Sequence, residues 1–203
     1  MPIVTKISEE APIPLTLTIR TPTNTSITAK TSAPDFYIQE LHANVNLNLS
    51  KDCKAAIDVL EGDIAATLYG NSQFGVRKYI PVSEPKLELY GDTQAEILCE
   101  NSDNNLLSDL DVSTYANAIV SLNNVAVASA TLKLFGKSKM NLEAETQLIH
   151  NLKTSTYAQS DLHVNQKVSR SESDAFGSST TLFTKEVKNL KKSQYDSGRI
   201  DQQ

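Results

Sequence analysis

Leu132-Lys133-Leu134-Phe135-Gly136-Lys137-Ser138-Lys139-Met140-Asn141-Leu142 alternates apolar and polar residues on both sides of a short core: an aromatic, a small residue, a polar one, then serine. The core recurs as Tyr69-Gly70-Asn71-Ser72, Tyr90-Gly91-Asp92-Thr93, Tyr115-Ala116-Asn117-Ala118, Phe135-Gly136-Lys137-Ser138, Tyr157-Ala158-Gln159-Ser160, Phe176-Gly177-Ser178-Ser179 and Tyr195-Asp196-Ser197-Gly198. Successive aromatics are 21, 25, 20, 22, 19 and 19 residues apart. A motif returning at a near-constant interval of this size marks a stack of similar coils, each burying its apolar face against its neighbours.

Take the aromatic as position zero. Positions +5 and +7 are apolar in nearly every copy, from Phe74 and Val76 to Thr181 and Phe183, with Ile200 and Gln202 closing the series. The residues between them are mostly polar, as with Glu96, Ser121, Asn141 and His163. Upstream, Ala66 and Leu68, Leu87 and Leu89, Leu110 and Val112, and Leu132 and Leu134 keep the same alternation. A period of two is that of a strand with one buried face. Each unit therefore reads as strand, narrow place, strand. Carried through the motif, the parity points +1 and +3 inward as well. Four of the seven glycines stand at +1, namely Gly70, Gly91, Gly136 and Gly177. Small inward residues would let opposing walls approach, or let the chain bend.

The expected fold is all-β: a single-stranded, right-handed parallel β-solenoid with coils of about 20 residues. Residues 1–14 read as an N-terminal cap or linker, with Pro2, Pro12 and Pro14 blunting an edge. Residues 15–203 read as the solenoid domain, with degenerate coils over 15–84 and regular ones over 85–203. Leu47-Asn48-Leu49-Ser50, nineteen residues before the Tyr69 unit, belongs to the degenerate part. The polar run Glu100-Asn101-Ser102-Asp103-Asn104-Asn105 predicts a protruding loop. Nine or ten coils at ~4.8 Å each would make a rod about 45 Å long. A sandwich of hairpins would also alternate, but it does not predict a motif recurring in register at twice the hairpin spacing.

Composition narrows the function. Apolar residues make up 39% and Trp is absent, which suits a thin, elongated core. Net charge is −5, and neither half is basic enough for a nucleic-acid footprint. The densest basic stretch, Lys185, Lys188, Lys191 and Lys192, reads as a solvated final coil that discourages end-to-end stacking. No apolar run reaches the about 20 residues that span a membrane, and Met1 to Pro14 lacks the apolar core of a signal peptide. Cys53 and Cys99 fall about two layers apart at different phases, ~10 Å where a disulfide needs Cα atoms within ~7 Å. They are therefore expected not to be bridged, with Cys99 sharing the inward parity of Ile97.

Candidate chemistry is sparse. His42, His150 and His163 lack ligand spacing, and no carboxylate cluster joins them, so no metal site is expected. His163 alternates outward. Glu61 with Asp63, and Asp109 with Asp111, are i, i+2 carboxylate pairs of the kind some β-helices use on polysaccharides, and they read as outward strand positions. No nucleotide, hydrolase or calcium-loop signature occurs, and no cofactor is expected. The sharpest candidate is the ladder Tyr69, Tyr90, Tyr115, Phe135, Tyr157, Phe176 and Tyr195. If it points outward it forms an aromatic stripe able to meet sugar rings or a partner surface. Equally, the rings could stack on one another and stiffen the rod, or turn inward at a corner.

Leu89-Tyr90-Gly91-Asp92-Thr93 and Leu134-Phe135-Gly136-Lys137-Ser138 resemble the bacterial head GIN domain group of auto-transporter adhesins and the related β-strand-repeat adhesin-like domains. The resemblance covers residues 85–200 best. This chain places aromatics where the family often has Ser or Thr, and it lacks the export signal many members carry. The resemblance implies a right-handed β-solenoid in the cell envelope or secreted. It implies a non-catalytic, adhesin-like surface module whose partner is a surface ligand or glycan. Two other readings stand beside it. One is a cytoplasmic scaffold self-associating into bactofilin-like filaments, which the missing signal favours; the other is a polysaccharide-active enzyme.

Overall fold

The structure is a computed structural model that describes residues 26–31, 35–80, 85–99 and 107–203. Expectations for the proline-rich cap, for Leu15 to Thr25 and for the loop at Glu100 to Asn105 lie outside those residues.

The chain is built of strands paired in parallel. In order they are β1 (Ser26–Thr31), β2 (Asp35–His42), β3 (Asn44–Leu49), β4 (Lys54–Glu61), β5 (Ile64–Gly70) and β6 (Gln73–Ile80). Then come β7 (Lys86–Gly91), β8 (Gln94–Cys99), β9 (Leu107–Ala116), β10 (Ile119–Asn123) and β11 (Val127–Leu134). The last are β12 (Lys139–Thr156), β13 (Asp161–Ala175), β14 (Thr180–Phe183), β15 (Val187–Gln194) and β16 (Arg199–Gln202). Odd-numbered strands up to β11 pair with one another, and even-numbered ones up to β10 do the same. The long strands β12 and β13 each run through a corner and belong to both walls. The result is a two-walled β-solenoid of about eight turns, roughly 20 residues per turn, with no helix among the described residues. At ~4.8 Å per layer the described rod is about 40 Å long. Parallel pairing throughout these strands rules out the hairpin sandwich.

The alternation read from the sequence sets the core. Leu68, Leu89, Leu132 and Leu134 from one wall meet Phe74, Val76, Leu122, Leu142 and Val164 from the other, all buried. Toward the C-terminal end the core turns hydroxyl-rich. Thr156 donates to Ser179 Oγ at 3.0 Å, and Ser171 and Ser173 share a hydrogen bond of 2.8 Å. The last wall strand, β15, carries Lys192 and Gln194 exposed at inward-parity positions, where they donate to the carbonyls of Ile200 and Gly198. Lys185 departs from the solvated reading of the Lys-rich coil. Its ammonium donates to the carbonyls of Ala144, at 2.7 Å, and Glu145, at 3.3 Å.

The two thiols are buried and not bridged. Burial pushes the Cys99 thiol up to about 12, which cuts its thiolate fraction about a thousandfold at pH 8 and below. We expect native protein to react negligibly with a thiol-exchange dye at pH 8, and both cysteines to react on unfolding in guanidinium. A fast native reaction, or a cysteine-linked peptide in a non-reducing digest, would contradict the register.

Candidate functional site

The repeat motif forms one corner of every coil after the first. The backbone ladder does not stop there. The amide at +2 donates to the +1 carbonyl of the layer before it, as in Asn71 to Lys51 at 2.8 Å, Asp92 to Gly70 at 2.8 Å and Gln159 to Gly136 at 2.8 Å. The amide at +4 donates to the preceding +3 carbonyl in the same way. Thus the corner is paired in every layer up to the Phe176 copy.

Inward parity does not carry through the corner, and this corrects one expectation. Position +3 does point inward: Ser72, Thr93, Ala118, Ser138, Ser160 and Ser179 are all fully buried. The four serine hydroxyls among them close the turn. Ser138 Oγ donates to the Phe135 carbonyl at 2.6 Å, and Ser160 Oγ accepts the Tyr157 amide at 3.1 Å. Position +1, by contrast, is exposed or half-buried and left-handed, with φ from 56° to 92° along the whole row. The chain must reverse its hand there to turn the corner. A Cβ built on Gly136 would also meet the Ala116 carbonyl oxygen at 2.7 Å. Small residues fill +1 because of backbone conformation and interlayer contact, not because walls approach inside.

An eighth copy emerges one layer earlier. Ser50-Lys51-Asp52-Cys53 has the same left-handed +1, Lys51 with φ 63°, and the same buried +3, Cys53. Its Lys51 and Cys53 carbonyls accept the Asn71 and Gln73 amides of the Tyr69 copy, in register. The nineteen-residue spacing pointed to it, but the serine at position zero hid it.

The seven aromatics stand in one column. Neighbouring ring centroids are 5.1, 4.6, 4.9, 4.6, 4.8 and 4.5 Å apart, with interplanar angles between 1° and 12°. Parallel in-register pairing puts each ring directly over the last, so they meet face to face. This geometry carries a chemical restriction. The five inner rings present only edges to solvent, since both of their faces are covered by neighbours. Tyr69 and Tyr195, at 42% and 50% exposure, end the column and keep one face open each. Burial among the rings and the nearby Glu88 carboxylate raise the Tyr90 phenol above its ordinary value. On one side of the column runs the +2 row, where Asn71 donates to Asp52 at 2.8 Å and Asn117 to Asp92 at 2.6 Å.

The other sequence candidates do not converge. Glu61 ends β4 and Asp63 precedes β5, so this pair straddles the second corner instead of sharing a strand face. Glu61 and Glu40 clasp His42 at 2.7 and 2.8 Å and raise its pKa, Glu61 more strongly. Asp109 and Asp111 lie on the outer face of β9, as expected. His163 is half-buried on the outer face of β13. Among the described residues no group of His, Cys, Asp and Glu could hold a metal ion, and no helix is long and apolar enough to cross a membrane.

Comparison with protein-family models, with curated proteins and with solved structures returned no match.

Proposed function

We propose that this chain is a non-catalytic, adhesin-like β-solenoid, a rigid binding module displayed at the cell envelope or secreted. The observation that carries the reading is the corner column, in which six ring pairs and the backbone ladder hold successive layers in one register. Such a corner suits a stiff rod that presents side chains at fixed spacing along its length. The outer rows mix amides, hydroxyls and both signs of charge, which favours a hydroxyl-rich ligand over a polyanion. The resemblance of residues 85–200 to adhesin-like repeats points the same way.

The purified chain printed on, or applied to, a glycan array should bind a restricted set of saccharides and release them unchanged. Cleaved products would replace this reading with the enzyme. Filaments under the electron microscope, together with a silent array, would replace it with the scaffold. The exposed inward-parity Lys192 and Gln194 oppose filaments, because a neighbour stacked on β15 would bury their polar heads.

A further inference from the structure

We propose that the open face of Tyr69, above Ser50, is a stacking shelf for one pyranose ring, a site that rests on the binding-module reading. The ring column ends at Tyr69 although the corner does not. The preceding layer repeats the corner with Ser50 at position zero, and Asn71 N donates to Lys51 O at 2.8 Å to keep the two layers in register. Where a ring would continue the column there is a hydroxymethyl group. Tyr69 is accordingly 42% exposed, whereas the rings inside the column are half-buried. It also lies 12° from the Tyr90 ring, while the other pairs are within 4°.

The column supplies its own template. Six times it accepts a flat body at a centroid distance of 4.5 to 5.1 Å, and over Ser50 one such place is empty of a ring. The groups around that place select the occupant. Asp52, whose Oδ1 accepts the Asn71 amide at 2.8 Å, sits two residues after Ser50, and half-buried Asn48 sits two before it. Exposed Lys51 stands between Ser50 and Asp52. A carboxylate, an amide and an ammonium around the edge of an apolar face match a pyranose, which offers a face of C–H groups and a rim of hydroxyls. The five inner rings cannot serve in this way, because their faces are already taken.

The test is a titration of the isotope-labelled full chain with methyl β-glucoside, methyl β-galactoside and methyl N-acetyl-β-glucosaminide, read by amide shifts and by saturation transfer from the tyrosine rings. At least one sugar should shift Ser50, Lys51, Asp52 and Tyr69, leaving Tyr195 unmoved. Ser50→Tyr should complete the column, retain the fold by circular dichroism, and weaken binding at least tenfold. Tyr195→Ala should leave it unchanged. If Ser50→Tyr fails to fold, Tyr69→Leu, which keeps bulk without an aromatic face, should abolish binding. Shifts that survive either folded variant, or no shift with any of the three sugars, overturn the shelf. A glycan-array signal indifferent to these substitutions rejects the shelf but keeps the binding module, whereas a silent array rejects both.

Discussion

Gly62→Ala lowers the melting temperature by on the order of 10 °C. Gly62 turns the second corner, between β4 and β5, at φ 151°, a region L-residues rarely enter. A Cβ placed there would stand 2.3 Å from the Ala43 carbonyl oxygen and 2.6 Å from its carbon, both backbone atoms of the adjacent layer. Neither can yield without breaking the corner, so strain and clash together reach about 4 kcal/mol or more. At roughly 2–4 °C per kcal/mol for a chain of this size, that gives the expected drop. Gly75 supplies the internal contrast. It lies mid-strand on the outer face, and its Cβ would meet only the Glu96 oxygen at 3.9 Å. Gly75→Ala is expected to raise stability by about 0.4–1 kcal/mol, because alanine loses less chain entropy on folding. Thermal melts of the two variants, followed by circular dichroism, decide the matter. A Gly62→Ala melt within two or so degrees of the parent would contradict the corner as described.

Tyr115→Ser combined with Tyr157→Ser removes four of the six ring contacts, since each ring belongs to two pairs and the two share none. At about 0.5–1.5 kcal/mol per stacked pair, the loss is ~2–6 kcal/mol before any burial term. That is a large part of the stability of an ordinary domain. The two sites lie two layers apart, ~10 Å, but both rings stack on Phe135, so the double loss should depart from the sum of the single ones. Tyr195→Ser removes a single contact from a half-exposed ring and should cost no more than about 1.5 kcal/mol. In a stack where each coil touches only its neighbours, weakening the middle also loosens the coupling of its two halves. Denaturant unfolding of the double variant is therefore expected to show a lower midpoint and a shallower slope. An unchanged midpoint would mean that the rings contribute nothing to the rod.

The solenoid and its ring column were legible because both rest on side-chain type repeated at fixed spacing. Leu132 and Leu134, then Met140 and Leu142, could only alternate, and an aromatic every 19 to 25 residues could only recur in register. The conformation at +1 was not legible. Glycine and alanine are chosen both where walls pack closely and where the backbone turns left-handed, so Gly70 or Ala158 alone cannot separate the two causes. Asp196 and Lys51 were the better clues, since neither would sit inside a core and both occupy the same row. The Tyr69 shelf was hidden for a related reason. It is defined by a missing ring, and Ser50 carries no signal until its layer is known. The straddling of Glu61 and Asp63 was equally invisible, because the spacing of two fits a flat strand as well as a corner.

The strand registers divide the rod into two unlike edges. Between successive layers the offset jumps from 19 to 21, 25, 20, 22 and back to 19, yet each value is already set on one wall when the chain enters the motif corner and is kept on leaving it. Nearly all added length is taken up where the chain passes from the even wall to the next odd one. From the Ser50 copy onward the rod thus has a spine and a seam: one edge of constant length, and an opposite edge where residues can be inserted without altering the rise. Foreign segments spliced into the seam, as between Ala144 and Gln147, would leave the core as it is. The molecule is in this sense a ruler with one graduated edge, onto which binding sequences could be mounted at intervals of a single layer.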